Sequence, residues 1–178
     1  MYNIDSVLLM TAMQHYKELG YKPLSSPMLV DREIVEITLP EGNTAQEHLG
    51  KFYVGSAEQS FYQLMKEGFS PNGSYMLVTP CERDDVIDDT HLNIFLKVEL
   101  VSSELNYKEI MQDVIDLYSY NGFNVTIVET SVGCDLELNG VEVGSYGERD
   151  YLGVNISFGT GIALPRISQA ISRDSCCN

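Results

Sequence analysis

Four charged side chains in this 178-residue chain stand where an acidic, soluble protein has no ordinary use for them. Arg83 lies in Cys81-Glu82-Arg83-Asp84-Asp85. Asp135 and Glu142 flank the turn dipeptide Asn139-Gly140, and Arg166 follows Gly159-Thr160-Gly161. Arginines set inside apolar β patterns suit a polyphosphate, because a planar guanidinium presents a fork of donors to phosphate oxygens. Two nearby acids suit the metal that travels with it, since Mg²⁺ takes one or two carboxylates and completes its shell with phosphates and water. This combination belongs to nucleotide chemistry. No Ser/His/Asp or Cys/His grouping suggests a side-chain nucleophile.

Composition bounds the rest. A chain of this length with 44% hydrophobic residues is one domain with a real core. With 26 acidic against 11 basic residues the net charge is −15, so no overall positive field gathers a nucleic-acid backbone, and DNA is excluded as a partner. A local cleft can still concentrate a small anion such as ATP. The N-terminus has neither the basic start nor the apolar stretch of a signal peptide, and no apolar run approaches a membrane span, which places the protein in the cytoplasm. Cys81, Cys134, Cys176 and Cys177 form no CxxC pair and have no histidine at ligand spacing, so they read as free thiols.

The elements that must position the charged residues follow from periodicity. Residues 4–19 predict a helix stopped by Gly20, and 104–120 a second strong helix closed by Asn121-Gly122. Residues 21–30 read as an extended segment broken by Pro23 and Pro27. Residues 33–39 are β-like, 40–50 a polar loop, 52–54 a short strand, and 57–67 a helix ended by Gly68. Residues 75–78 and 94–101 flank an acidic loop as a long hairpin, and 123–130 is a β-branched strand. A further hairpin spans 134–143 around Asn139-Gly140, the commonest type I′ dipeptide. A strand at 154–158 and a closing helix at 164–172 complete an α+β domain, an antiparallel sheet backed by helices.

With these elements in order, the chain resembles the catalytic core of class II aminoacyl-tRNA synthetases over nearly its whole length. Residues 16–21 leading to Ser26-Pro27-Met28-Leu29 are similar to motif 1, a helix and strand serving a dimer interface, which implies a homodimer. The segment from Cys81 to His91, with Phe95 and Glu99, resembles motif 2, most closely its phenylalanyl type. That resemblance implies that Arg83 grips the ATP α-phosphate, that Asp85 fixes the adenine amino group or the loop, and that His91 faces the outer phosphates. It also implies that Phe95 stacks on adenine and Glu99 lines the amino-acid pocket.

Residues 135–145 resemble the hairpin that precedes motif 3 in aspartyl- and asparaginyl-type enzymes, which implies that Asp135 and Glu142 hold Mg²⁺. Arg149 stands where those enzymes read the amino-acid side chain. Phe158 to Arg166 resembles motif 3, with Arg166 on the γ-phosphate and the glycines admitting the nucleotide to the backbone. Gly55-Ser56-Ala57-Glu58-Gln59 is similar to the loop that receives the substrate ammonium, with Glu58 or Gln59 as acceptor. An aspartate site carries a lysine just downstream, where Phe61 and Tyr62 stand here.

The implied activity is ATP-dependent activation of an amino acid to its adenylate, with release of pyrophosphate. The chain ends within a dozen residues of motif 3, which predicts a stand-alone core with no anticodon-binding domain and an acceptor other than tRNA. The alternative is a noncatalytic synthetase-like dimer that senses an amino acid or nucleotide, or binds a protein. Composition alone supports plainer roles as well: Arg83 and Arg166 as ordinary ion pairs, Phe95 as core, Asp135 and Glu142 as solvated acids, and Lys97 with Glu99 as a strand pair.

Overall fold

The computed structural model describes residues 4–40, 42–84, 87 and 92–174. Asp85 and His91, two of the implied ATP contacts, and Cys176 and Cys177 lie outside the described residues.

A seven-stranded sheet runs in the order β1-β5-β6-β10-β9-β8-β7, antiparallel except where β1 (Lys22–Leu24) lies parallel to β5 (Ser74–Glu82). Its centre is β6 (Ile94–Ser102), β10 (Val154–Leu164) and β9 (Val141–Tyr151), with β8 (Gly133–Leu138) and β7 (Thr126–Glu129) completing the far side. A small second sheet joins β2 (Leu29–Val30), β4 (Lys51–Tyr53) and β3 (Glu47–His48).

Strand alternation gives the main sheet two apolar faces. On one, Val98 and Leu100 of β6, Ile162 and Leu164 of β10 and Leu136 of β8 are buried with Tyr16 and Ala12 of α1 (Ser6–Glu18). Ile110, Val114 and Leu117 of α4 (Tyr107–Tyr120) and Ile167 and Ala170 of α5 (Arg166–Asp174) join the same core. The opposite face carries Leu77, Val101 and Ile156, packed with Phe61 and Tyr62 of α3 (Ala57–Lys66) and Ile34 of α2 (Arg32–Val35).

The helices begin and end on local chemistry. The side chain of Asp5 accepts from the Leu8 N–H at 3.0 Å, and Asn106 and Glu109 form a complete capping box on α4. Gly20, at φ +95°, lets the chain leave α1, and the Asn139-Gly140 turn has positive φ at both residues, as a type I′ hairpin requires.

Three expectations change. Residues 33–39 are not a strand: Arg32–Val35 form the short helix α2. Ile34 and Val35 are both buried, and the backbone bonds locally as a helical turn, with Val35 N–H donating to Asp31 O at 3.2 Å and Glu36 N–H to Arg32 O at 3.0 Å. The hairpin strand β9 continues past Val143 to Tyr151. Its partner β10 continues past Phe158 through the glycine motif to Leu164, so the closing helix starts at Arg166. Both strands hide their length behind a bulge, at Leu136/Glu137 against β9 and at Thr160/Ile162 against β6, where alternation in the sequence breaks. No helix among the described residues is long and apolar enough to cross a membrane.

Candidate functional site

The two bulges shape a cavity of about 360 Å³ on the α3 face of the sheet. The register shift puts Val143 out of step, so Glu142 opposes Glu137 and Ser145 opposes Asp135. Glu142 and Ser145, three residues apart, therefore share a face. In β10 the shift leaves Thr160 opposite Glu99 and Ala163 opposite Lys97, again two residues three apart on one face. All four line the cavity: Glu142, Ser145, Thr160 and Ala163.

Arg83 reaches this cavity from the end of β5. Its Nε–H donates to Gly55 O at 2.8 Å and its guanidinium lies over the Phe95 ring, 5.1 Å from the centroid. These contacts fix the plane of the fork. They also give one face of Phe95 an occupant other than adenine. Arg166, the first residue of α5, lines the same cavity and pairs with Glu142 at 3.3 Å.

The loop before α3 forms one wall, and there the two residues that the sequence leaves as alternatives make different contacts. The Gln59 amide is spent on the loop: its Oε1 accepts from Gly55 N–H at 2.7 Å, and its Nε2 donates to Val35 O and Thr38 Oγ1. Glu58 is different. Its carboxylate, 5% exposed, accepts from the Tyr62 hydroxyl at 2.5 Å and from Arg149, whose guanidinium also lies 5.2 Å from the Phe158 ring centroid. Burial pushes the Glu58 carboxyl above the usual glutamate range, against the pull of Arg149 and of the Tyr62 hydrogen bond. Arg149, expected to read an amino-acid side chain, is thus the counter-ion of a buried acid.

At the floor Lys97 pairs with Glu99 at 2.7 Å. The Ser56 hydroxyl joins them, donating to Glu99 Oε2 at 2.6 Å and accepting from Lys97 at 3.2 Å. Glu99 is fully buried, and its Oε1 has no hydrogen-bond partner. The pair is more than a strand ornament: Ser56 and Lys97 line the cavity, a role that no sequence motif gives to either. The available signal was two charges two residues apart, hence on one face, inside an otherwise apolar strand.

Asp135 is not brought into the cavity wall. It stands on β8 opposite Ser145, two residue pairs along the strand from the Glu137–Glu142 pair, on the same face. Glu142 fits a magnesium ion as the single carboxylate that such an ion needs beside phosphates and water. Among the described residues no cluster of three or more His, Cys, Asp or Glu side chains forms a metal site without that help. Cys81 and Cys134 are buried free thiols, and burial pushes Cys81 up to about 12, which makes it inert.

The glycines of Gly159-Thr160-Gly161 have a packing role on the helical side of the sheet. A Cβ on Gly159 would lie 2.3 Å from Tyr146 Cδ1, and one on Gly161 would lie 2.9 Å from Tyr16 Cε2. Both rings belong to the helical side of the sheet. The glycines make room for tyrosines in the core.

No sequence family matches the chain, and no curated protein sequence does. Solved structures do. Seryl-tRNA synthetase from Pyrococcus horikoshii, complexed with ATP, superposes with a TM-score of 0.76 at 20% identity, over 94% of this chain and 50% of that one. A pyrrolysyl-tRNA synthetase, PylSc from Desulfitobacterium hafniense, gives 0.72 at 15% identity, over 97% and 70%. The cytoplasmic serine-tRNA ligase of Naegleria fowleri, in complex with AMP, gives 0.70 at 16% identity, over 93% and 47%. The chain spans about half the length of the two seryl enzymes. Its α+β architecture, a largely antiparallel sheet flanked by helices, is the catalytic-core fold of the class II aminoacyl-tRNA synthetases.

Proposed function

We propose that the protein activates an amino acid with ATP. The substrate carboxylate attacks the α-phosphorus, the bond to the β-phosphate breaks, and an aminoacyl-adenylate and pyrophosphate result. The observation that carries this reading is one cavity that gathers Arg83 and Arg166 with the buried acid Glu58. The attacking group comes from the substrate, so the protein's work is alignment and charge stabilisation. Arg83 would hold the α-phosphate, Arg166 the γ-phosphate in exchange for Glu142, and Phe95 the adenine on the face that Arg83 leaves. Glu142, with Asp135 behind it, would hold Mg²⁺, which neutralises phosphate charge when bound. Asp85 and His91 keep the roles that their motif implies.

Glu58 would accept the substrate ammonium, which requires the ionised carboxylate. Because burial raises its pKa, protonation begins at a pH above that of an ordinary glutamate, and affinity is lost as pH falls through that raised value. The KM for the amino acid should therefore climb on the acid side well before an exposed glutamate titrates. Glu58→Gln should raise that KM and flatten the acid limb. A wild-type profile that stays level through the acid range would show that Glu58 is not the acceptor.

With a net charge of −15 the chain offers little to a polynucleotide backbone, so the proposed acceptor is not tRNA. Homodimer formation is supported by the apolar side chains that the N-terminal region leaves exposed, Ile4, Val7 and Met10. The deciding experiment is ATP–pyrophosphate exchange with each of the twenty amino acids. Exchange with one or a few is the expected result; silence with all of them, in folded protein that still binds ATP, would identify a nucleotide sensor instead.

A further inference from the structure

We infer that Tyr16 and Tyr146 are positioning residues, two buried hydroxyls that hold the β10 bulge and so turn the Thr160–Arg166 segment toward the cavity. The inference rests on the nucleotide reading above for its functional consequence, though not for its geometry. Tyr16 comes from α1 and donates to Gly161 O at 2.7 Å; Tyr146 comes from β9 and donates to Thr160 O at 2.9 Å. Two donors from different elements thus meet consecutive carbonyls at the point where the β6–β10 register breaks, between Thr160 and Ile162.

Such a bulge interrupts the ladder and frees backbone groups that a buried site cannot leave to water. Both hydroxyls are buried, and burial holds both pKa values far above the ordinary tyrosine range, so they remain protonated donors. The rings are seated as deliberately as the oxygens. Tyr146 lies directly opposite Gly159 on the adjoining strand, and its ring occupies the space that a Cβ on Gly159 or Gly144 would need. Tyr16 does the same at Gly161. Each glycine accepts a ring whose hydroxyl then caps the bulge.

The consequence reaches the cavity through strand parity. In an unbroken strand Thr160 and Ala163 would face opposite sides of the sheet. With the extra residue held in place both line the cavity, Ile162 turns into the core, and α5 begins with Arg166 on the cavity wall. If the carbonyls lose their donors, the bulge can migrate, and a slip of one residue exchanges the faces.

The test uses Tyr16→Phe and Tyr146→Phe, which keep the rings that fill the glycine spaces and remove only the hydroxyls. Peptide-resolved hydrogen exchange should show amides in 159–166 exchanging roughly tenfold faster in each variant, with α4 and the β5–β6 hairpin unchanged, and ATP affinity measured by calorimetry should fall about tenfold. Unchanged protection and affinity in both variants would overturn the inference. Loss of protection spread evenly over the chain would do so too, because it would mean general destabilisation. Wild type that binds no ATP would refute the nucleotide reading, and the exchange measurement would then decide the bulge alone.

Discussion

Replacing Arg83 with alanine should lower ATP–pyrophosphate exchange by about 100- to 1000-fold, the loss typical of removing one fixed charge-stabilising donor from an active site. The guanidinium is held in place by the protein before any substrate arrives. Its Nε is committed to Gly55 O at 2.8 Å and its plane is set by the Phe95 ring, so the group arrives already oriented. A donor with no reorganisation left to do stabilises the transition state more than the ground state, and the loss should appear in kcat more than in the KM for ATP. Arg83→Lys separates charge from geometry. Lysine restores the positive charge but not the planar fork, and it cannot hold Gly55 O while reaching phosphate, so it should recover only part of the rate. Matching thermal melts for the three proteins would keep folding out of the comparison. Exchange that survives Arg83→Ala within a fewfold would remove this residue from the chemistry, and with it the main support for adenylate formation.

How far the sequence carries this reading differs from residue to residue. Helices α1 and α4 are legible because each buries one face at helical spacing and stops at a glycine or asparagine, whereas α3, buried almost all round, and the β5–β6 hairpin are legible from the Gly68 stop and the acidic loop that bound their apolar runs. The order of those elements was enough to suggest the fold. The charged residues at the site were legible because arginine or glutamate is costly in an apolar strand without a partner. What escaped was set by irregularity. A period-two reading ends a strand where alternation fails, so it stopped β9 at Val143 and β10 at Phe158, each at or near a bulge. The site is built from those irregular stretches: Ser145, Thr160 and Ala163 all lie within three residues of a bulge. Partner choice was equally hidden. That Arg149 is bound by Glu58, 91 positions away, and that Gln59 Nε2 donates to Val35 O, 24 positions away, depend on tertiary proximity that no local pattern encodes.

Gly159→Ala should destabilise the fold by about 3 kcal/mol, near the upper end for overpacking a core, and lower the melting temperature by roughly 6–12 °C. The new methyl would sit 2.3 Å from Tyr146 Cδ1, 2.7 Å from Cε1 and 3.0 Å from Ile110 Cγ2. Relief would require the tyrosine to move. It is 1% exposed, its hydroxyl is tied to Thr160 O, and its other edge covers Gly144, so it has nowhere to go without breaking a buried hydrogen bond. Gly140→Ala provides the contrast. Nothing lies within 4 Å of that added carbon, and the only penalty is the positive φ of +72°, about 1 kcal/mol. A double-mutant cycle with Tyr146→Ala isolates the cause. Alanine removes the Cδ and Cε carbons that collide, so in that background Gly159→Ala should cost under about 1 kcal/mol, leaving a coupling energy of roughly 2 kcal/mol. Equal penalties in both backgrounds would mean that Gly159 is required by something other than Tyr146, and that ring and bulge are not one unit.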